Sequence, residues 1–202
     1  MNSSITRKLF SARPEIVAPR LLGMKLSTCK SGRVTSGIIV EVEAYCGERD
    51  PACHCYSNGR TKRTEIMFHK GGLCYVYFIY GMYHCVNVVA GPEGVGAAVL
   101  IRAIEPLEGI ELMKRRRKTR VIKNLTSGPG KLCQALGIDK SFYGEDMLSS
   151  SKIWLEKHTR VPRDRIVSSG RIGINSAREL KWRFFIKESP WVSKAPKSSL
   201  QW

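Results

Sequence analysis

Acidic residues and long apolar runs are both scarce in this chain of 202 residues. Asp and Glu number 17 against 34 Lys and Arg, which gives a formal charge of +17 at pH 7. A charge of this size does not determine the fold, but it favours an anionic partner, and nucleic acid is the commonest one. The alternative is a solvated basic surface that only maintains solubility.

Segments that would take the chain to a membrane or out of the cell are also lacking. No run approaches the roughly 18 apolar residues of a membrane span, and residues 1–14 have no apolar core of signal-peptide length. A long amphipathic helix is missing too, which argues against a membrane surface as the anionic partner. Seven cysteines, an odd number, fit reduced thiols better than a disulfide framework. We therefore expect a protein that is not secreted, cytoplasmic if its source is bacterial and nuclear if it is eukaryotic.

Repeats and low-complexity linkers are absent, so one domain is the default for this length. Strand signals dominate the middle of the chain, and helical signals flank them. The pattern predicts an α+β fold: a single compact domain over residues 1–202, with a curved, mostly antiparallel sheet flanked by helices and a protruding β-hairpin. We expect residues 1–13 and 194–202 to be loosely ordered.

The element boundaries come from apolar periodicity and turn residues. Strands are predicted at residues 37–45, 73–79, 84–89, 97–104 and 182–187. Helices are predicted at residues 15–26, from Pro106 through Met113, and from the Gly128-Pro129-Gly130 segment to Gly137. The charged residues 114–123 are the best loop candidate. Gly81 suits a tight turn between the second and third strands, which makes them a hairpin.

One strand face carries the first candidate for chemistry. By the period-2 rule, Glu41, Glu43 and Tyr45 project the same way. Glu43 is the candidate general base for activating a water, and Glu41 competes for that role; a solvated acidic pair is the other interpretation. Arg102 lies in an apolar strand, where a charge needs a partner. It orients the acid or the water, or it forms a structural ion pair.

Aromatic residues carry the second candidate for chemistry. Tyr80, Met82 and Tyr83 at the hairpin tip suit a wedge inserted between base pairs, unless the tip folds back onto the core. A group of four residues, Tyr45, His54, Tyr75 and Tyr77, suits a pocket that holds a base taken out of its stack. The alternative is ordinary core, because Tyr favours strands.

Two further motifs limit the kinds of ligand that the chain is expected to bind. The sequence from Ser127 to Lys131 leads into a helix whose exposed N–H groups could hold a DNA phosphate. Leu132 stands where a Walker A loop needs Ser or Thr, which excludes that motif. Cys53-His54-Cys55 resembles part of a zinc site, but a structural site needs four ligands and the sequence has no second cluster. We therefore expect no metal.

Taken together, these blocks resemble the alkyladenine (3-methyladenine) DNA glycosylase family. The matching blocks, which cover about residues 21–193, are 41–45 (EVEAY), 50–54 (DPACH), Arg63, 67–68 (MF), 75–83 (YVYFIYGMY) through Asn87, 100–109 (LIRAIEPLEG), 127–132 (SGPGKL), 171–174 (RIGI) and 183–185 (RFF).

The resemblance implies a monofunctional glycosylase of base excision repair. Such an enzyme flips alkylated or deaminated purines, of the 3-methyladenine and hypoxanthine class, out of duplex DNA. It then hydrolyses the N-glycosidic bond and leaves an abasic site uncut, without metal or cofactor and as a monomer. Glu43 corresponds to the base that activates the water, and Arg102 and the main-chain carbonyl of Ile172 correspond to groups that help hold it.

The resemblance also assigns the pocket and the DNA contacts. Tyr45, His54 and Tyr77 correspond to the residues that sandwich the flipped base, and Asn87 to the one that discriminates against the guanine amino group. Tyr80 corresponds to the side chain that enters the minor groove and fills the gap. Residues in segments that line the DNA are Arg63, Met67, Met82, Ser127 and Lys131.

The chain departs from the family pattern at Lys62 and Thr64 and in the loops at residues 93–96 and 114–126, which affects DNA contacts more than chemistry. Two other functions remain open from the residues. A non-enzymatic nucleic-acid-binding module explains the charge and the aromatics but not Glu43 and Arg102. A glycosylase that also cleaves the DNA strand through a Schiff base needs a desolvated Lys, and the sequence marks none.

Overall fold

The computed structural model describes residues 5–57 and 59–194. Eight strands form one sheet, and every strand pair is antiparallel. The strands are β1 (Lys25–Lys30), β2 (Arg33–Tyr45), β3 (Cys74–Ile79), β4 (Tyr83–Val89), β5 (Ala98–Glu108), β6 (Ile153–Glu156), β7 (Ile166–Ser169) and β8 (Arg183–Ile186).

Within the described residues, three α-helices and several short 3-10 helices accompany the sheet. The α-helices are α1 (Pro14–Leu21), α2 (Ile110–Arg117) and α3 (Pro129–Leu136). The 3-10 helices span Arg7–Ser11, Gly47–Arg49, Glu65–Phe68, Ile122–Asn124, Lys140–Phe142 and Arg163–Arg165. The predicted α+β class and antiparallel sheet are therefore confirmed. Among the described residues, no helix is long and apolar enough to cross a membrane.

Strand β2 is the centre of the sheet. It pairs with β5 along one edge, from Ser36 to Tyr45. Along its other edge β1 pairs with its first half and β8 with the stretch from Glu41 to Glu43. The register with β5 shifts on both sides of Glu41, an irregularity of the kind that re-aims side chains next to functional sites.

Two apolar clusters cover the two faces of the sheet. Along β3, Cys74 and Val76 belong to the larger cluster, whereas Tyr75 and Tyr77 belong to the smaller one. Because successive side chains of a strand point to opposite faces, the clusters lie on opposite sides. Helix α3 buries its apolar side in the larger cluster, which leaves the aromatic side of β3 for the smaller one.

The turn between β3 and β4 has an unusual backbone. Its central residues, Tyr80 and Gly81, both have positive φ, at 55° and 66°. The N–H of Met82 bonds to the Ile79 carbonyl over 3.2 Å, which closes the turn. The side chains of Tyr80 and Met82 are 76% and 63% exposed, so the tip does not fold back into the core.

Several predicted boundaries were wrong. Pro106 does not open a helix: it pairs with Gly37 inside β5, and α2 begins only after Gly109, whose φ is +73°. The helix predicted at residues 15–26 ends at Leu21, because β1 begins at Lys25. The helix α2 extends to Arg117, into the predicted loop.

The chain ends were predicted to be loosely ordered. Residues 5–13 of the first segment are described, and Phe10 within it is fully buried in the larger cluster. At the other end Lys194 is described, and the rest of the predicted tail, residues 195–202, lies outside the described residues.

Candidate active site

Glu43 lies near the end of β2 and is fully buried. Its Oε1 accepts the backbone N–H of Ile172 over 2.7 Å. Its Oε2 accepts the Tyr45 hydroxyl over 2.9 Å and an Nη of Arg102 over 3.2 Å. A carboxylate has about four lone-pair positions. Among the described residues three of them are used, which leaves Oε1 able to accept one more hydrogen bond.

Glu41 is also fully buried, and its carboxylate accepts hydrogen bonds from four donors. Its Oε1 accepts Nε of Arg102 at 3.2 Å, Nε of Arg183 at 2.6 Å and the Ser193 hydroxyl at 2.7 Å. Its Oε2 accepts the Ser193 N–H at 2.7 Å. Four donors, two of them cationic, make Glu41 the anion of a structural cluster, which separates its role from that of Glu43.

Arg102 connects the two carboxylates from the middle of β5. Its Nε faces Glu41 and its Nη faces Glu43, each at 3.2 Å. Burial acts to lower the pKa of the guanidinium, but the charges of Glu43 and Glu41 outweigh burial and raise it. Arg102 is therefore a permanent cation paired with both carboxylates, and its role in orienting Glu43 stays a prediction.

Tyr45 is fixed from two directions. Its hydroxyl donates to Glu43, and the Arg171 guanidinium lies 4.7 Å from its ring centroid. Burial, and then the charge of Glu43, raises the pKa of Tyr45 well above its usual value. The hydroxyl thus stays protonated and remains a donor to the carboxylate.

Arg171 anchors the segment that reaches Glu43. Its two Nη atoms bind both oxygens of Asp50 at 2.5 and 2.7 Å, and both side chains are fully buried. A further bond runs to the Ala44 carbonyl at 2.9 Å. Because Ile172 follows directly in the chain, this bidentate pair fixes the backbone N–H that bonds Glu43.

The aromatic residues form a group beside the carboxylate. The rings of His54 and Tyr77 meet edge to face with centroids 4.6 Å apart, and Tyr75 lies 5.4 Å from Tyr77. The Tyr75 hydroxyl is 2.9 Å from Nδ1 of His54. Partial removal from water and the nearby Arg63 lower the pKa of His54 to about 4, so the imidazole is neutral at pH 7.

Asn87 lies on β4 directly opposite Tyr75 and is 3% exposed. Its Nδ2 donates to the Tyr75 carbonyl over 3.0 Å. This bond holds the amide against the strand that carries the aromatic group, which places Asn87 at the predicted pocket.

The predicted DNA-contacting residues divide by exposure. Arg63 and Met82 are exposed, and Ser127 and Lys131 are partly exposed at the start of α3. Met67 is 3% exposed and packs against the Cys55 thiol at 3.6 Å, so it supports the surface from beneath. A Cβ on Gly130 would lie 2.9 Å from the Tyr83 ring, so only glycine allows this close packing of α3 on the hairpin.

Sequence reasoning missed the residues that hold the site in place. Asp50, Arg171, Arg183 and Ser193 had no assigned role, although three of them fall within or beside the blocks that carry the resemblance. Their pairings span 121 to 152 residues of chain, which no local pattern reveals. Within the described ranges, no group of three or more His, Cys, Asp or Glu could hold a metal.

Comparison with known proteins adds to this geometry. A family model described as methylpurine-DNA glycosylase matches residues 8–190. Similar proteins carry the provisional name 3-methyladenine DNA glycosylase. One from Clostridium tetani is 46% identical over 94% of this chain and 98% of its own. One from Chlorobaculum parvum is 47% identical over 92% and 90%, and one from Bacillus cereus is 50% identical over 88% and 93%.

Proposed function

The chain belongs to the methylpurine-DNA glycosylase family, and from that premise we propose that it removes alkylated and deaminated purines, of the 3-methyladenine and hypoxanthine class, from duplex DNA. The damaged nucleotide leaves the stack and enters the aromatic group. A water activated by Glu43 then hydrolyses the N-glycosidic bond and releases the free base, and the abasic strand stays intact.

The observation that carries the proposal is the remaining acceptor position on Oε1 of Glu43. A buried carboxylate held by Ile172, Tyr45 and Arg102 has one direction left in which to bind a water. It can take the proton of that water as it attacks the sugar. The same negative charge stabilises the oxocarbenium-like cation that develops on the sugar in the transition state. Glu41 is instead held by two arginines and by both donors of Ser193, which favours Glu43 as the base.

The aromatic group supplies the second requirement, a place for the base. Tyr45, which bonds Glu43, and Tyr77, which meets His54, both pack against the smaller apolar cluster. Flat rings of this kind hold an extruded base by stacking. Asn87 presents its amide from the neighbouring strand, where it could exclude the amino group of guanine. The exposed Tyr80 would fill the gap in the duplex.

The solvent exposure of the lysines favours hydrolysis by water over strand cleavage through a Schiff base. A Schiff base requires a Lys desolvated enough to lose its proton. Every lysine within residues 5–57 and 59–194 is at least partly exposed. We therefore expect no covalent adduct when the protein and a lesion duplex are treated with borohydride.

The decisive experiment is single-turnover excision, with the released base identified by mass spectrometry. Glu43→Gln should lose at least about a hundredfold in rate, since general-base catalysis contributes about 10²–10⁴. The matched control is Glu105→Gln, which neutralises an exposed glutamate on β5 and should keep the wild-type rate. A Glu43→Gln variant that excises at the wild-type rate would refute the proposed role.

A further inference from the structure

Arg63 lies on the aromatic group itself. Its guanidinium carbon is 5.0 Å from the centroid of the Tyr77 ring, and one Nη is 3.3 Å from Nε2 of His54. The guanidinium therefore lies over a face of the Tyr77 ring. Cations are attracted to aromatic faces at this distance.

The charge of Arg63 has no acidic partner among the described residues. Its neighbour Arg60, by contrast, pairs with both oxygens of Glu65 at 2.7 and 3.0 Å. Arg63 is exposed and is held by the Tyr77 face and by a neutral imidazole. Such interactions are weak enough to be replaced by a stronger interaction between Arg63 and an anion.

We propose that Arg63 occupies the base-binding surface of Tyr77 in the free protein, and that a base entering the pocket displaces its guanidinium onto a DNA phosphate. Arg63 is thus a positioning residue that couples the entry of a base at Tyr77 to binding of the DNA backbone. The inference rests on the proposed function, because that function gives the Tyr77 surface a base to bind.

The two positions of Arg63 predict opposite effects on two ligands. A free base must displace Arg63 without offering a phosphate in return, so breaking the cation–π interaction lowers the affinity for that base. A lesion in duplex DNA supplies the phosphate, and the charge-assisted bond there compensates for the broken interaction with Tyr77. A residue that only bound DNA would not influence the binding of a free base.

The test compares wild type, Arg63→Gln and Lys62→Gln. Lys62 is exposed and adjacent, and its substitution removes the same charge without touching Tyr77. Isothermal titration with free 3-methyladenine should give Arg63→Gln about two- to fivefold tighter binding than wild type, and Lys62→Gln unchanged binding. Fluorescence anisotropy with a duplex whose hypoxanthine nucleotide carries a hydrolysis-resistant fluorinated sugar should show weaker binding by Arg63→Gln. Its slope of log affinity against log salt should be smaller by about one.

The outcomes distinguish a failure of this inference from a failure of the proposed function. If wild type binds both ligands and Arg63→Gln binds the free base as wild type does, or more weakly, the inference fails and the proposed function stands. If wild type binds neither the free base nor the lesion duplex, both fail. Tighter free-base binding together with weaker duplex binding is the signature that supports the exchange.

Discussion

Ile172 donates its backbone N–H to Oε1 of Glu43 across 2.7 Å, although 129 residues separate the two positions in the chain. The donor belongs to the main chain, so a change of side chain at position 172 leaves it in place. Its position depends instead on the ion pair of the preceding Arg171 with Asp50. Our sequence expectation gave Ile172 a role through its carbonyl, and that role stays a prediction beside the N–H contact.

Glu41→Gln should destabilise the protein far more than Glu43→Gln. The neutral amide would leave Arg102 and Arg183 facing a buried site without their shared anion. Breaking a buried ion pair by removing one partner costs about 3–5 kcal/mol. In Glu43→Gln, by contrast, Arg102 keeps Glu41. Urea denaturation should therefore give a much lower midpoint for Glu41→Gln, and equal midpoints would contradict the structural role of Glu41.

Arg171→Lys should slow excision by about 10- to 100-fold, because an ammonium cannot form the bidentate pair with Asp50 and small displacements of a reacting group have effects of this size. Both Tyr45 and Ile172 would shift relative to Glu43. The dissociation constant for lesion DNA should change little. Single-turnover rates at saturating enzyme measure the effect. Arg178→Lys, an exposed arginine of the same segment, is the control and should keep the wild-type rate. A loss confined to DNA affinity would refute the positioning role.

The fold was predictable where the pattern was local. The hairpin strands, β5 and α3 have strong period-2 or capping signals, and the structure places them within a few residues of the prediction. Strands β1, β6 and β7 were missed. They are short or adjoin apolar residues with helical spacing, and they form strands because long-range pairing overrides weak local preference. Pro106 illustrates the same limit, since an irregularity opposite Gly37 lets a proline stay in a strand.

The grouping of the candidate residues was predictable, but the contacts that hold them were not. Glu43, Tyr45 and Arg102 could be found because neighbouring strands display side chains with a regular period. The hydrogen bonds of Glu41 could not be predicted, because they depend on Arg183 and Ser193, which approach only after the chain has folded. For the same reason the position of Arg63 over the Tyr77 ring could be found only in the folded structure.

His54 should make the stability of the protein depend on pH in the acidic range. Partial burial and the charge of Arg63 lower the pKa of His54 in the folded protein to about 4, from 6.5. Between these values the unfolded chain binds a proton that the folded protein does not, so unfolding becomes easier as the pH falls from 6.5 to 4. The contribution is complete above pH 6.5. His54→Asn should lessen this decline in urea denaturation midpoints, whereas His158→Asn, at another exposed histidine whose ring bonds the neighbouring Thr159, should not. An identical pH dependence in His54→Asn and wild type would contradict the shift.

Tyr80→Asn should leave the protein as stable as wild type or more stable, while weakening its capture of lesion DNA. Among residues other than glycine, Asn tolerates positive φ best, and Asn-Gly is favoured where both central residues of a turn have positive φ. Tyr80, at φ 55° and before Gly81, adopts a conformation that a bulky residue seldom takes. The side chain is 76% exposed, so its removal disrupts little buried packing.

A strained backbone that presents an exposed aromatic ring suggests a function outside the fold, and the proposed wedge supplies one. Tyr80→Asn should therefore bind a duplex with an abasic-site analogue at least about fivefold more weakly, since base–aromatic stacking is worth about 1–3 kcal/mol. Leu107→Asn, which also removes an exposed apolar side chain (46% exposed), is the control. Thermal denaturation and anisotropy titrations measure the two properties. Unchanged duplex binding by Tyr80→Asn would mean that the ring does not enter the DNA, whatever the gain in stability.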